Sequence, residues 1–153
     1  MKLFFYVSII SCTFFQTFTS HKGEGYKTFT KNGGWCWFQD PRAVYINGNK
    51  KRTYAGWMTN SGQLQIGYYD HESDTIKKIT LKESWDIDDH NNNSFLVLTD
   101  NRLTVFYAKH NKHGLFCKTA SIAENISKWE NEVTISDSDH ITYSHPCYLT
   151  RIR

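Results

Sequence analysis

The densest run of chemically capable side chains is Asp88-Asp89-His90-Asn91-Asn92-Asn93, followed twenty residues after His90 by His110 and later by Tyr143. Imidazole gives or takes a proton near neutral pH, and a phenol can join it where a nearby cation favours ionisation. Two histidines and a tyrosine facing one cleft would therefore make an acid–base site, with His90, His110 and Tyr143 as the candidate catalytic residues. A solvated connection closed by an Asx turn accounts for the acidic run without chemistry. His71, His113 and His140 read as surface or packing residues. Zinc on His90, His110 and a third ligand is a competing use of the same side chains. No HExxH supports it, and neither a metal nor a cofactor is expected.

A second cluster precedes the first: Gly33-Gly34-Trp35-Cys36-Trp37-Phe38-Gln39-Asp40-Pro41-Arg42. Indole faces stack on sugar rings, and a guanidinium pairs bidentately with a uronate carboxylate or a sulfate. Trp37, Gln39 and Arg42, with Asn91 from the polar run, are the candidate substrate-binding residues. The same tryptophans also read as packing residues, and Arg42 as a local salt-bridge partner.

The elements that must position these residues are short alternating strands. Residues 43–46, 52–58, 64–70 and 75–81 form one series of four, separated by Asn47-Gly48-Asn49, Asn60-Ser61-Gly62 and other turn signals. Residues 95–98, 103–108, 115–119 and 133–135 repeat the order. The opening strands align through Pro41, Asn93 and Pro146, which recur 52 and 53 residues apart. Four strands in a period near fifty are the signature of β-propeller blades, with a single β-sandwich as the alternative. On this reading the chain is all-β, a partial propeller over residues 21–153 with blade one at about 41–84 and blade two at about 91–136. The start of a third follows at about 143–153. A closed propeller has roughly four to eight blades, so a truncation or a piece of a longer protein is expected. His90 precedes the first strand of blade two, His110 follows its second, and Tyr143 opens blade three. All three therefore belong to one end of the sheets.

Composition agrees with this architecture: 39% of the 153 residues are hydrophobic and 16% aromatic, with only two Pro. The net charge of +3 is spread among acidic residues, which leaves no footprint for nucleic acid but is compatible with an acidic substrate. Residues 1–20 carry Lys2, an apolar stretch over 3–15 and a small polar run, which reads as a signal peptide too short to span a membrane. A secreted or periplasmic location is expected. The lipobox-like Ile9-Ile10-Ser11-Cys12 raises a lipid anchor at Cys12 and an outer-surface lipoprotein as the variant. Cys36, Cys117 and Cys147 show no paired spacing and read as buried small apolar residues.

Taken in order, the Gly33 to Arg42 segment, Asp88-Asp89-His90-Asn91-Asn92, Tyr107 to Asn111, Trp129-Glu130 and Tyr143 to Leu149 resemble the BNR-repeat-containing family that includes the ulvan lyases. The resemblance runs from about Gly25 to the last residue. It implies a seven-bladed propeller that cleaves a uronate-containing acidic polysaccharide by β-elimination, with His90 and His110 as catalytic histidines. Tyr143 would join them in proton transfer or carboxylate contact. The family also uses an arginine about sixteen residues after this tyrosine, whereas the chain ends ten residues after Tyr143. Neither Arg151 nor Arg153 takes its place, and the 153-residue chain is expected to be inactive alone. Two further departures are Asn93-Ser94, where the family usually has proline, and His145 in place of asparagine. A glycan-binding propeller without chemistry and a sialidase-like hydrolase are the alternatives, the latter weakened by the lack of an SxDxGxTW box.

Overall fold

The computed structural model of the chain describes residues 26–34, 36 and 42–148. Eight strands form: β1 (Ala43–Asn47), β2 (Lys51–Met58), β3 (Leu64–Asp70), β4 (Thr75–Lys82), β5 (Ser94–Val97), β6 (Leu103–Ala108), β7 (Leu115–Thr119) and β8 (Val133–Ser136). They make two four-stranded antiparallel sheets of order β1-β2-β3-β4 and β5-β6-β7-β8, with no helix among the described residues. Each strand lies within a residue or so of its expected position. The two meanders are what the repeat required, and the all-β class with blade-like sheets is consistent with part of a propeller. Residues 142–148 form no strand. Residues 1–20 with Cys12, and Trp35, Trp37 and Gln39, lie outside the described residues.

The period-2 alternation of a strand decides which side chains share a face. Tyr54 pairs with Tyr68, Gly56 with Ile66 and Met58 with Leu64, so these residues line one face of the first sheet. Phe95 pairs with Val105 and Val97 with Leu103 on the second. Residues of both faces, among them Tyr54, Met58, Leu64 and Ile66 from one sheet and Leu103, Val105 and Tyr107 from the other, join in a single buried cluster. The sheets therefore stack face to face, with β1 beside β5. Both meanders also carry a register shift at the start of their third strand, between Leu64 and Gln65 and between Leu115 and Phe116. A bulge inserted at the same step of each repeat marks them as copies of one unit.

Polar contacts close the seam. Lys82 Nζ lies 2.6 Å from Glu132 Oε2, and the Tyr107 hydroxyl donates to the same oxygen at 2.5 Å. Glu124 reaches across from the second unit to accept the backbone N–H groups of Asn49 (2.8 Å) and Lys50 (2.6 Å) in the β1–β2 turn. Cys36 and Cys117 are buried, as expected, but Cys147 is exposed, because the segment carrying it forms no strand. Among the described residues no helix is long and apolar enough to cross a membrane.

Candidate functional site

The loop ahead of β5 folds on its own polar side chains. Asp88 Oδ1 accepts the backbone N–H of His90 at 2.9 Å, an Asx turn that sets the histidine's direction. Asn92 donates its side-chain amide to the Asp89 carbonyl, and the buried Asn91 carboxamide accepts the backbone N–H of His110. The loop after β6 is thereby tied to the loop before β5. A third segment is laid across both: Lys112 forms a β-bridge with Ile141, Thr142 accepts the N–H of Asn111 at 3.0 Å, and the Ser94 and Ser144 hydroxyls meet at 2.6 Å. Tyr143 sits between those last two anchors.

The result brings the three expected catalytic residues together. The His90 and His110 rings stack with centroids 4.1 Å apart and 21° from parallel, and the Tyr143 ring lies 6.2 Å from His90. Both histidines line a cleft of about 590 Å³ with Gly34, Met58, Ile87, Asp88 and Asp89. Their side chains are 30% and 39% exposed, enough for a ligand to reach them while Asp88 stays alongside.

Asp88 is the hinge of the arrangement, with Oδ1 2.8 Å from His90 Nδ1 and Oδ2 3.1 Å from His110 Nδ1. Burial raises its pKa, but the His90 backbone N–H and the two imidazoles outweigh that, and the carboxyl is held below its ordinary range. Tyr143 behaves in the opposite way. Burial, with the Cys36 Sγ 3.3 Å from its hydroxyl, pushes the phenol up to about 12, against a smaller opposing pull from Arg42. At neutral pH Tyr143 is a hydrogen-bond or proton donor, not a base.

Arg42 is 9% exposed, its guanidinium carbon 5.8 Å from the Tyr143 ring centroid. It lines a smaller cavity of about 300 Å³ with Ser94, Ser144 and His145. Asn91, expected to touch substrate, is 0% exposed and holds the His110 loop instead. Trp37 and Gln39 lie outside the described residues. Among the bystander histidines, His71 meets Thr53 (2.9 Å), His113 meets Asp139 (3.1 Å) and His140 meets Asn111 (2.8 Å), and none lines the cleft. Asn93, at the family's proline position, is buried against Gly56, where a Cβ would stand 1.9 Å from its Oδ1. Cys36, Asp88 and Asp89 were not among the candidate site residues, although the run holding the two aspartates stood out in the sequence.

A comparison with protein families matches residues 52–151 to the BNR repeat-containing family. The chain belongs to that family. The match covers both sheets from β2 onward and all three of His90, His110 and Tyr143. Comparisons with curated proteins and with solved structures find no match. As a metal site, this family member offers Asp88, His90 and His110 in one set and Cys36, Asp89 and His90 in another, each with ligand atoms within 4.8 Å of one another. The near-parallel imidazoles suit two N–H donors on one carboxylate better than a shared tetrahedral ion, whose ligands approach from widely separated directions.

Proposed function

We propose that this protein is an exported lyase that cleaves a uronate-containing acidic polysaccharide, ulvan or a close relative, by β-elimination, within a propeller of seven blades. The observation that carries this reading is the stacked His90/His110 pair, 4.1 Å between ring centroids and lining one open cleft, with the Tyr143 ring 6.2 Å from His90.

The hydrogen alpha to a uronate carboxylate becomes acidic once a cation neutralises that carboxylate. Arg42, its guanidinium carbon 5.8 Å from the Tyr143 ring centroid, is the candidate for that cation in this chain, and the resemblance implies another arginine about sixteen residues after Tyr143. One imidazole removes the alpha proton, the freed electron pair becomes the C=C bond, and the glycosidic C–O bond breaks. The leaving oxygen collects a proton from the second imidazole or from Tyr143, whose raised pKa keeps its proton in place. Each such transfer contributes about 10²- to 10⁴-fold.

The test is incubation with ulvan, following the ultraviolet absorbance of the unsaturated uronate that elimination makes and hydrolysis does not. It is run on the 153-residue chain and on any longer product read from the same gene. Absorbance should rise with the active product and fall about 10²-fold or more in His90→Ala and Tyr143→Phe. Full rate in His90→Ala, or products without unsaturation, would falsify the lyase reading; ulvan binding without cleavage would leave a glycan-binding propeller.

A further inference from the structure

A carboxylate can only accept hydrogen bonds, so any ring nitrogen that faces it at bonding distance must carry the proton. Asp88 meets that condition twice, through Oδ1 at His90 Nδ1 (2.8 Å) and Oδ2 at His110 Nδ1 (3.1 Å). It is fixed for the task, because Oδ1 also takes the His90 backbone N–H at 2.9 Å. Asn91 meanwhile holds the backbone of His110. Asp89 Oδ1 stands 3.1 Å from the same His90 Nδ1.

We propose that Asp88 is the positioning residue of the site: by bridging both Nδ1 atoms it fixes His90 and His110 as Nδ1–H tautomers and turns both Nε2 atoms to the ligand. The proposal rests on the reading of these histidines as the acid–base pair and names the group that sets them. Which nitrogen of an imidazole reacts is decided by the hydrogen bond made by the other. One carboxylate also offsets one positive charge. During elimination one Nε2 lone pair takes the alpha proton while the other ring gives its Nε2 proton to the leaving oxygen. The charge passes from one stacked ring to the other, and Asp88 is bonded to both, so it pairs with the charged ring before and after the step.

The experiment is two-bond ¹H–¹⁵N correlation of the full chain labelled at histidine, recorded at about pH 8, above the titration range of free imidazole. His90 and His110 should both show the Nδ1–H pattern. Asp88→Asn should turn at least one of them to Nε2–H, since an amide presents a donor to one ring, while Asp89→Asn should leave His110 unchanged. Should Asp88→Asn fail to fold, the wild-type spectrum decides alone: Nε2–H at either ring overturns the proposal. So does a metal-shifted Nδ1 signal in both rings that EDTA reverses, because the carboxylate and rings would then share an ion. In the ulvan assay Asp88→Asn should lower kcat about 10²-fold and change KM less than about threefold. Nδ1–H rings in a protein without lyase activity would sink the reaction and leave the positioning intact. An active enzyme with Nε2–H rings would do the reverse.

Discussion

Tyr143 meets Cys36 across 107 positions of sequence, and that contact changes what the phenol can do. Burial and the thiol raise its pKa to about 12, with Arg42 pulling the other way. A folded-state pKa above the unfolded value near 10 means that the neutral phenol is the form stabilised by folding. That contribution is full below pH 10 and fades as pH climbs toward 12. The difference between alkaline absorbance titrations of wild type and Tyr143→Phe should therefore show a midpoint near pH 12, and a midpoint at the ordinary 10 would show the phenol to be solvated. The positions of His90, His110 and Tyr143 could be read from sequence because the strand order of the repeat puts each at the same end of its sheet. The role of Asp88 could not, since it depends on a rotamer that places two carboxylate oxygens against two rings. Cys36 is buried, as its reading required, but its contact with Tyr143 was hidden, because nothing local announces a partner 107 residues away. Asn91 was misjudged for a related reason: a polar run looks solvated, yet its amide is wholly buried as a tie between loops.

At the scale of elements, strand boundaries followed from period-2 alternation between Gly/Asn turn signals, which is local information. The clip between the units was hidden, because Glu124 belongs to a connection with no pattern of its own. Its carboxylate is buried at 6% exposure and accepts two backbone N–H groups from the β1–β2 turn. Gly48 makes this approach possible: a Cβ there would stand 2.0 Å from Glu124 Oε1. Removing the acceptor leaves two turn donors to be resatisfied, so Glu124→Ala should cost about 1–3 kcal/mol in urea unfolding with an unchanged m-value. Gly48→Ala should cost a similar amount, by forcing the carboxylate away. Because both act through one contact, Gly48→Ala should add much less than its own cost in the Glu124→Ala background. Additive losses would mean that the turn is strained by something other than this carboxylate.

For the molecule as a whole the question is whether two stacked sheets unfold together. Each meander closes its own hydrogen bonds, so backbone pairing alone would allow one to open without the other. Side-chain burial argues otherwise: the largest buried side chains, Tyr54, Tyr107, Met58, Leu64 and Ile66, come from both sheets and form one cluster. Trp85, in the connection between β4 and β5, plugs the seam. Its ring stands edge-on to Tyr107 (5.4 Å) and Phe116 (5.6 Å), with the Lys82 and Lys109 ammonium groups 5.2 and 5.0 Å from its centroid. Trp85→Ala should therefore cost about 3 kcal/mol, the low end for a large aromatic because the residue is only partly buried. The more telling readout is where amide protection is lost. In a repeat array whose stability resides in the interface between neighbours, weakening that interface lowers protection in both units. Hydrogen exchange in Trp85→Ala should rise in β2 and β3 as well as in β6 and β7, although the ring packs edge-on against side chains of the latter pair. Faster exchange confined to β6 and β7 would show that the sheets are independently stable and that the cleft lined by His90 and His110, built from loops of both, depends on more than their stacking.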